Sequence, residues 1–245
     1  MKTIDPAELQ KRIKNNKILN KLVYFDTIDS TNKFLAENDF ASGTIAMAGE
    51  QKTGRGKHGA AWVSPAGGLW LSYVINRKII KPYDYVALSS VALVEALKVF
   101  CINAEIKWPN DILVKGKKLA GILLENDYYN GRLITGLGLN VNNKIPGGLN
   151  AVSVKQLLRG RADINRIAAE IIGRIDASIA GLKGKRASLY RRWTGLQKNL
   201  EGSEINLVKR GKTGKVKVIK VSGGRIKVQD KKGGVFSVSG EVFFK

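Results

Sequence analysis

Residues 49–68 read GEQKTGRGKHGAAWVSPAGG, a glycine-rich basic stretch between two apolar runs, TIAMAGE (44–50) and LWLSYVI (69–75). Both runs have the length and residue types of strands, so the loop joins strand to strand. That context decides between folds. Gly54-Arg55-Gly56-Lys57-His58-Gly59 matches G-x-G-x-x-G, the dinucleotide fingerprint, but the fingerprint should open a helix. Here Ala60 to Pro65, followed by two further glycines, lead into a strand. Gly49 to Gly54 has P-loop spacing, yet Arg55 stands where the lysine belongs and no Ser or Thr follows it. Both familiar nucleotide loops are therefore decoys. What remains is clustered glycines around Arg55, Lys57 and His58, with Trp62 after them. Glycines let backbone N–H groups approach an oxyanion, and cations balance phosphate charge. A phosphate clamp with an aromatic stacking partner and a flexible basic turn both fit the loop taken alone.

The flanking chain supplies the frame. Asp5-Pro6-Ala7-Glu8 reads as an N-cap, a proline at the first helical position and an acid at N3, predicting a helix to about Lys14. Residues 22–27 (LVYFDT) predict a strand, and Asp29 or Ser30 caps a short helix through Glu37. Asp84 is expected to cap a long helix bearing Val86, Ala87, Val91, Val94, Leu97 and Phe100. Residues 104–140 alternate strand and turn, with Gly116-Lys117 and Asn130-Gly131 where hairpins reverse. From Asp163, apolar residues at 164, 167, 168, 171, 172, 175, 179 and 182 form one helical stripe, a core face closing near Gly181 to Gly184. After Trp193 the texture changes to short β-rich runs broken by glycines. About forty such residues (203–244) suggest a small β-barrel appended to an α/β domain. The expected organisation is an N-terminal arm at 1–21, a large domain at 22–198 and the small barrel at 199–245, with the boundary near Asn199.

Composition narrows the chemistry. The 245 residues carry 42 Lys+Arg against 20 Asp+Glu, a net +22, with one cysteine (Cys101) and one histidine (His58). A disulfide framework needs two cysteines, and a Cys/His zinc site needs several ligands. A Ser-His-Asp enzyme would have to use His58. No apolar run approaches a membrane span, and Met1 precedes a polar stretch, so a cytoplasmic protein is expected. Residues 199–245 hold 11 Lys+Arg and 4 Asp+Glu, so the tail is about twice as basic per residue as the rest. Such charge suggests anionic partners, nucleic acid among them, or a solubilising surface.

Three further groups carry polar chemistry. Lys107-Trp108-Pro109-Asn110-Asp111 sets a lysine, an amide and a carboxylate between apolar flanks. The lysine can neutralise a developing charge, and Asp111 could hold a metal or accept a proton, although Asn-Asp also makes an ordinary turn. Asp29-Ser30-Thr31-Asn32 opens a helix. Gly136-Leu137-Gly138-Leu139-Asn140-Val141-Asn142 places amides beside small residues on a strand end, admitting a ligand or a bulge.

In this order, DSTN (29–32), EQKTGRGKHGAAWVSPAGGLWLS (50–72), KWPNDILVKGKKLAGILLE (107–125) and GLGLNVN (136–142) resemble the biotin protein ligase, or biotin–(acetyl-CoA-carboxylase) ligase, family. The resemblance spans roughly residues 24–142. It implies a mixed β-sheet catalytic domain packed with helices, of the class II synthetase and biotin–lipoate ligase kind. It also likens the C-terminal segment to that family's small SH3-like barrel. The implied reaction condenses biotin with ATP, using Mg²⁺, to biotinyl-5′-AMP and pyrophosphate. The biotinyl group then passes to one lysine of a biotin carboxyl carrier protein or domain. Two anions must meet in the first step, so clustered cations and backbone donors suit it, and no catalytic Cys or His is required.

Carried over residue by residue, the resemblance puts Ser30, Thr31, Asn32 and Gln51 on biotin. Gly54, Arg55, Gly56 and Lys57 wrap the carboxylate and phosphate, and Lys107 reaches both, with Lys107 and Arg55 as the catalytic pair. Trp62 packs near the adenine, with Asn110, Asp111 and Asn140 around the nucleotide and Asp111 as the metal candidate. The family usually has arginine where Lys57 stands and often a basic residue where Ala60 stands. Lysine keeps the charge but loses the planar fork, so weaker retention of the adenylate is expected than in arginine-bearing relatives. Residues 1–21 are too few for the helix-turn-helix of larger relatives, which implies the monofunctional form without operator binding. A homodimer is expected from the resemblance. The rivals are a lipoate–protein ligase, whose arginine and triple-glycine loop is not found here, and a basic nucleic-acid-binding protein.

Overall fold

The computed structural model describes residues 4–76, 82–127, 131–197, 200–209, 212–222, 225–239 and 243–244. The larger unit is a seven-stranded mixed sheet. Strands β1 (Lys21–Ile28) and β2 (Thr44–Gln51) run parallel, and helix α2 (Thr31–Glu37) makes the crossover such a pair requires. The remaining pairs are antiparallel: β3 (Leu69–Asn76), β4 (Glu105–Lys107), β5 (Asp111–Val114), β6 (Lys117–Asp127) and β7 (Arg132–Leu139). The spatial order is β1-β2-β3-β7-β6-β5-β4.

Alternation along the strands gives the sheet two different faces. Leu69, Leu71, Tyr73 and Ile75 point into the main core, which they share with α3 (Pro82–Val99) and α5 (Ile164–Ala180). The apolar stripe of α5 is buried there from Ile164 to Ile179. On the opposite face, Ala46, Val74 and Ile134 meet Leu35 of α2 in a much smaller cluster. Further along that face the residues are small, and a hollow results.

Helix α1 (Pro6–Ile13) begins as its sequence predicts, with Asp5 accepting from the backbone N–H groups of Ala7 and Glu8. The buried carboxylate of Asp176 on α5 ties down the segment after it by accepting from the N–H groups of Lys17, Ile18 and Leu19 at 3.0, 2.7 and 2.8 Å. The chain closes with a five-stranded antiparallel sheet of β8 (Glu204–Lys209), β9 (Lys212–Ser222), β10 (Arg225–Asp230), β11 (Val235–Ser239) and β12 (Phe243–Phe244). Leu207, Val216, Val218 and Ile226 extend the main core into it. No helix among the described residues is long and apolar enough to cross a membrane.

Some local expectations need correction. Helix α3 starts at Pro82, so Asp84 lies in its first turn and is not the cap. Its carboxylate is fully buried, taking a 2.7 Å ion pair from Arg186 and a 2.9 Å hydrogen bond from the Tyr190 hydroxyl. Both partners sit on α6 (Arg186–Gly195), a helix the sequence reading did not predict, and their pairing over a hundred residues leaves no local signal. The short α4 (Val154–Leu158) was also unanticipated, although Ser153 and Gln156 make a complete capping box. The domain boundary near Asn199 and the turn residue Asn130 lie outside the described residues.

Candidate active site

The hollow on the α2 face is a cavity of about 330 Å³, at the small end of the ~300–1,000 Å³ usual for ligand sites. Its floor comes from strand register. Ser72 pairs with Gly136, Gly136 with Leu123, and Gly138 with Gly121, so one face of β3, β7 and β6 presents a hydroxyl and three missing side chains. Each glycine is required by what lies on it. A Cβ on Gly136 would sit 2.2 Å from Asn32 Oδ1, and one on Gly138 would sit 2.5 Å from Trp62 Nε1. One on Gly121 would reach Trp62 Cζ3 at 3.0 Å.

One end of the cavity is a closed hydrogen-bond network. Ser30 caps α2, and this turns Thr31 and Asn32 inward, both buried. Gln51 Oε1 accepts from Thr31 N at 2.9 Å and from Thr31 Oγ1 at 3.1 Å, while its Nε2 donates to Ser64 Oγ at 2.9 Å. The Ser72 hydroxyl stands between Thr31 Oγ1 and Asn32 Oδ1, and Asn32 Nδ2 donates to Glu125 at 2.7 Å. Fixed donors and acceptors of this kind can hold a polar ring without reorganising.

The other end is cationic. Arg55, Lys57, Lys107 and Lys118 all line the cavity. Arg55 lies 3.4 Å from Glu125, and Lys118 lies 2.9 Å from Asp111 and over the Trp62 ring at 4.9 Å from its centroid. Lys107 pairs with Asp111 across the β4–β5 hairpin, whose turn is Trp108-Pro109-Asn110 with a cis Trp108–Pro109 peptide. Asn110 Nδ2 donates to Ile122 O at 2.7 Å, anchoring that turn to β6. Burial holds the Lys57 amine down, at about 8, with Asp111 opposing the shift and Lys118 adding to it. The Trp62 ring N–H is buried and makes no hydrogen bond among the described residues.

Of the residues expected in the site, Ser30, Thr31, Asn32, Gln51, Arg55, Gly56, Lys57, Trp62, Lys107, Asn110 and Asp111 converge on this one cavity. Gly54 and Asn140 do not line it. Gly54 is where the loop folds back on itself, since a Cβ there would meet Trp62 O at 2.3 Å and Ser64 Oγ at 2.4 Å. Asn140 instead accepts from Asn143 Nδ2 at 3.0 Å and braces the chain after β7. Four participants escaped the sequence reading: Ser64, Ser72, Lys118 and Glu125. Only Ser72 left a signal, a lone hydroxyl inside the apolar strand LWLSYVI.

Fold and cavity together define a mixed-sheet domain carrying a two-ended polar site. Residues 24–142 of the chain match the Biotin/lipoate A/B protein ligase family. Among named relatives it is 36% identical over 149 residues to the bifunctional ligase/repressor BirA of Bacillus spizizenii, covering 57% of this chain and 46% of the relative. It is 31% identical over 147 residues to the biotin–(acetyl-CoA-carboxylase) ligase of Mycobacterium tuberculosis, covering 56% and 54%. The matched segment thus spans about half the length of these relatives. In structure it is similar to the biotin protein ligase of Aquifex aeolicus in complex with biotin and ATP, with a TM-score of 0.78 and 26% identity over 92% of this chain and 98% of that one.

Proposed function

We propose that this protein is an ATP-dependent biotin protein ligase. It activates biotin to biotinyl-5′-AMP and transfers the biotinyl group to a lysine of a biotin carboxyl carrier protein or domain. The observation that carries the reading is the two-ended cavity, a buried network of neutral polar groups running directly into a cluster of four cations. Thr31, Asn32, Gln51 and Ser72 hold the ureido ring, with Ser30 capping the helix that presents them. Arg55, Lys57 and Lys107 receive the carboxylate and the α-phosphate.

In the first step a carboxylate oxygen of biotin attacks the α-phosphorus and pyrophosphate leaves. The barrier is anion meeting anion, and preorganised cations lower it most where charge builds up in the transition state. Lys107 makes no ion pair among the described residues, and Arg55 is held only loosely by Glu125, so both can turn to the phosphate. Trp62 stacks on the adenine and offers its unpartnered N–H. In the second step the acceptor lysine attacks the acyl carbon, and AMP leaves with the C–O electron pair.

Magnesium belongs to this reading as the companion of the ATP phosphates. Among the described residues no three His, Cys, Asp or Glu side chains gather to hold a metal. Asp111, the candidate ligand, is occupied by Lys118. The residues therefore do not form a resident metal site, and a magnesium ion would enter with the nucleotide. Cytoplasmic location and a homodimer belong to the same proposal.

The test is incubation with labelled biotin, ATP and a biotin carboxyl carrier domain. ATP-dependent label on the carrier lysine supports the reading. Label from lipoate in place of biotin contradicts it.

A further inference from the structure

The C-terminal sheet turns one face to the core and the other to water, and its outer face is basic. On β9, Val216, Val218 and Val221 are buried in the core, while Lys215, Lys217 and Lys220 are exposed. On β10, Ile226 and Val228 are buried, while Arg225 and Lys227 are exposed. Strand register sets these cations side by side, with Lys227 directly opposite Lys220. None of the five makes an ion pair with a described residue. Glu204 on β8 stands in register with Lys217 but does not pair with it. Glu201 and Asp230 are occupied by backbone N–H groups, the first by Val221 and the second by Lys232 and Gly234. Like charges directly opposite one another destabilise a sheet. Nothing among the described residues offsets the Lys220–Lys227 pair, and an external anion would.

We propose that this face is a docking surface for a nucleic-acid duplex, held by its phosphates without regard to sequence. Three observations select that occupant. Lys215 to Lys220 span about 15 Å of strand, a length over which a duplex carries about nine phosphate charges, more than the cations need. A protein partner would need an apolar centre to pack against. Among the described residues of this face, the exposed large apolar side chains are Ile219, at the bulge in β9, and Val235, on the outer strand β11. A single strand is held by bases stacked on aromatic rings, and no exposed described residue of this face is aromatic. Backbone contact remains, which fixes position and reads no sequence. None of the five cations lines the cavity, so the inference stands independently of the ligase reading.

The full chain should be titrated into two labelled DNA duplexes of unrelated sequence, and into one of their single strands, following anisotropy across a salt series. The expected result is the same Kd for both duplexes, about 1–100 μM near physiological salt, with log K falling against log salt at a slope of about −4. The triple variant Lys217→Gln, Lys220→Gln, Lys227→Gln should bind about tenfold or more weakly, with a slope shallower by about 3. The corresponding Lys→Arg triple should keep both affinity and slope, with circular dichroism showing all three proteins folded. No duplex binding, an affinity set by sequence, or a slope unchanged in the glutamine variant overturns the proposal. So does tighter binding of the single strand. So does a glutamine variant that loses an acidic carrier domain, or vesicles containing phosphatidylserine, while keeping the duplex.

Discussion

The indole of Trp62 lies directly on Gly138, where a Cβ would stand 2.5 Å from its ring nitrogen and 2.7 Å from Cε2. The aromatic group that ends the basic loop is thus seated by a missing side chain on β7. Gly138→Ala should push the indole off the sheet and raise KM for ATP by about ten- to a hundredfold. Gly136→Ala, two residues earlier on the same face, strikes Asn32 and not Trp62. It should raise KM for biotin and leave KM for ATP nearly unchanged. Steady-state kinetics on the two variants checks the division, and equal effects on both substrates would contradict it.

Lys57 makes stability depend on pH. Its folded value is about 8 against an ordinary lysine value of 10.5. Between these values the unfolded chain binds more protons than the folded one, so stability rises with pH across that window. Below about pH 8 both states are protonated and the full cost of a half-buried charge remains. Lys57→Met should accordingly raise Tm at pH 7, and the difference from wild type should shrink as pH increases from 8 toward 10. Thermal melts of the ligand-free protein across that range measure it.

Asp176 fastens the amino-terminal segment. Its carboxylate accepts from three successive backbone N–H groups, and Asp176→Ala leaves all three without that acceptor. The expected loss is roughly 2–3 kcal/mol, a fall in Tm of about 4–12 °C. None of these residues lines the cavity, so kcat/KM of the folded enzyme should not change. Calorimetry beside kinetics tests both halves.

The parts legible in the sequence were those whose signals are local. The strands on either side of the basic loop, the cap at Asp5 and the stripe from Ile164 each announce themselves within a few residues. The site was legible as separate motifs, DSTN, GRGKHGAAW and KWPND, and the resemblance joined them before the fold did. What was missed depends on partners far along the chain. Glu125 matters because it receives Asn32 and Arg55 from two other segments, and Lys118 because it reaches Asp111 and Trp62. Asp84 was read as a cap because a short-range rule suited it, while its partners on α6 lay beyond that rule. Asn140 was placed in the site by analogy with its motif, and its side chain is instead occupied by Asn143.

The central claim is that the cavity joins biotin to AMP with Lys107 at the reacting centre. The most direct measurement is single-turnover formation of biotinyl-AMP from biotin and α-labelled ATP, without carrier, by the wild-type chain and Lys107→Ala. The account predicts one adenylate per active site for the wild type. It predicts a rate lower by at least about a hundredfold for the variant, with both proteins equally folded. Undiminished adenylate formation by Lys107→Ala, or none by the wild type, would contradict it.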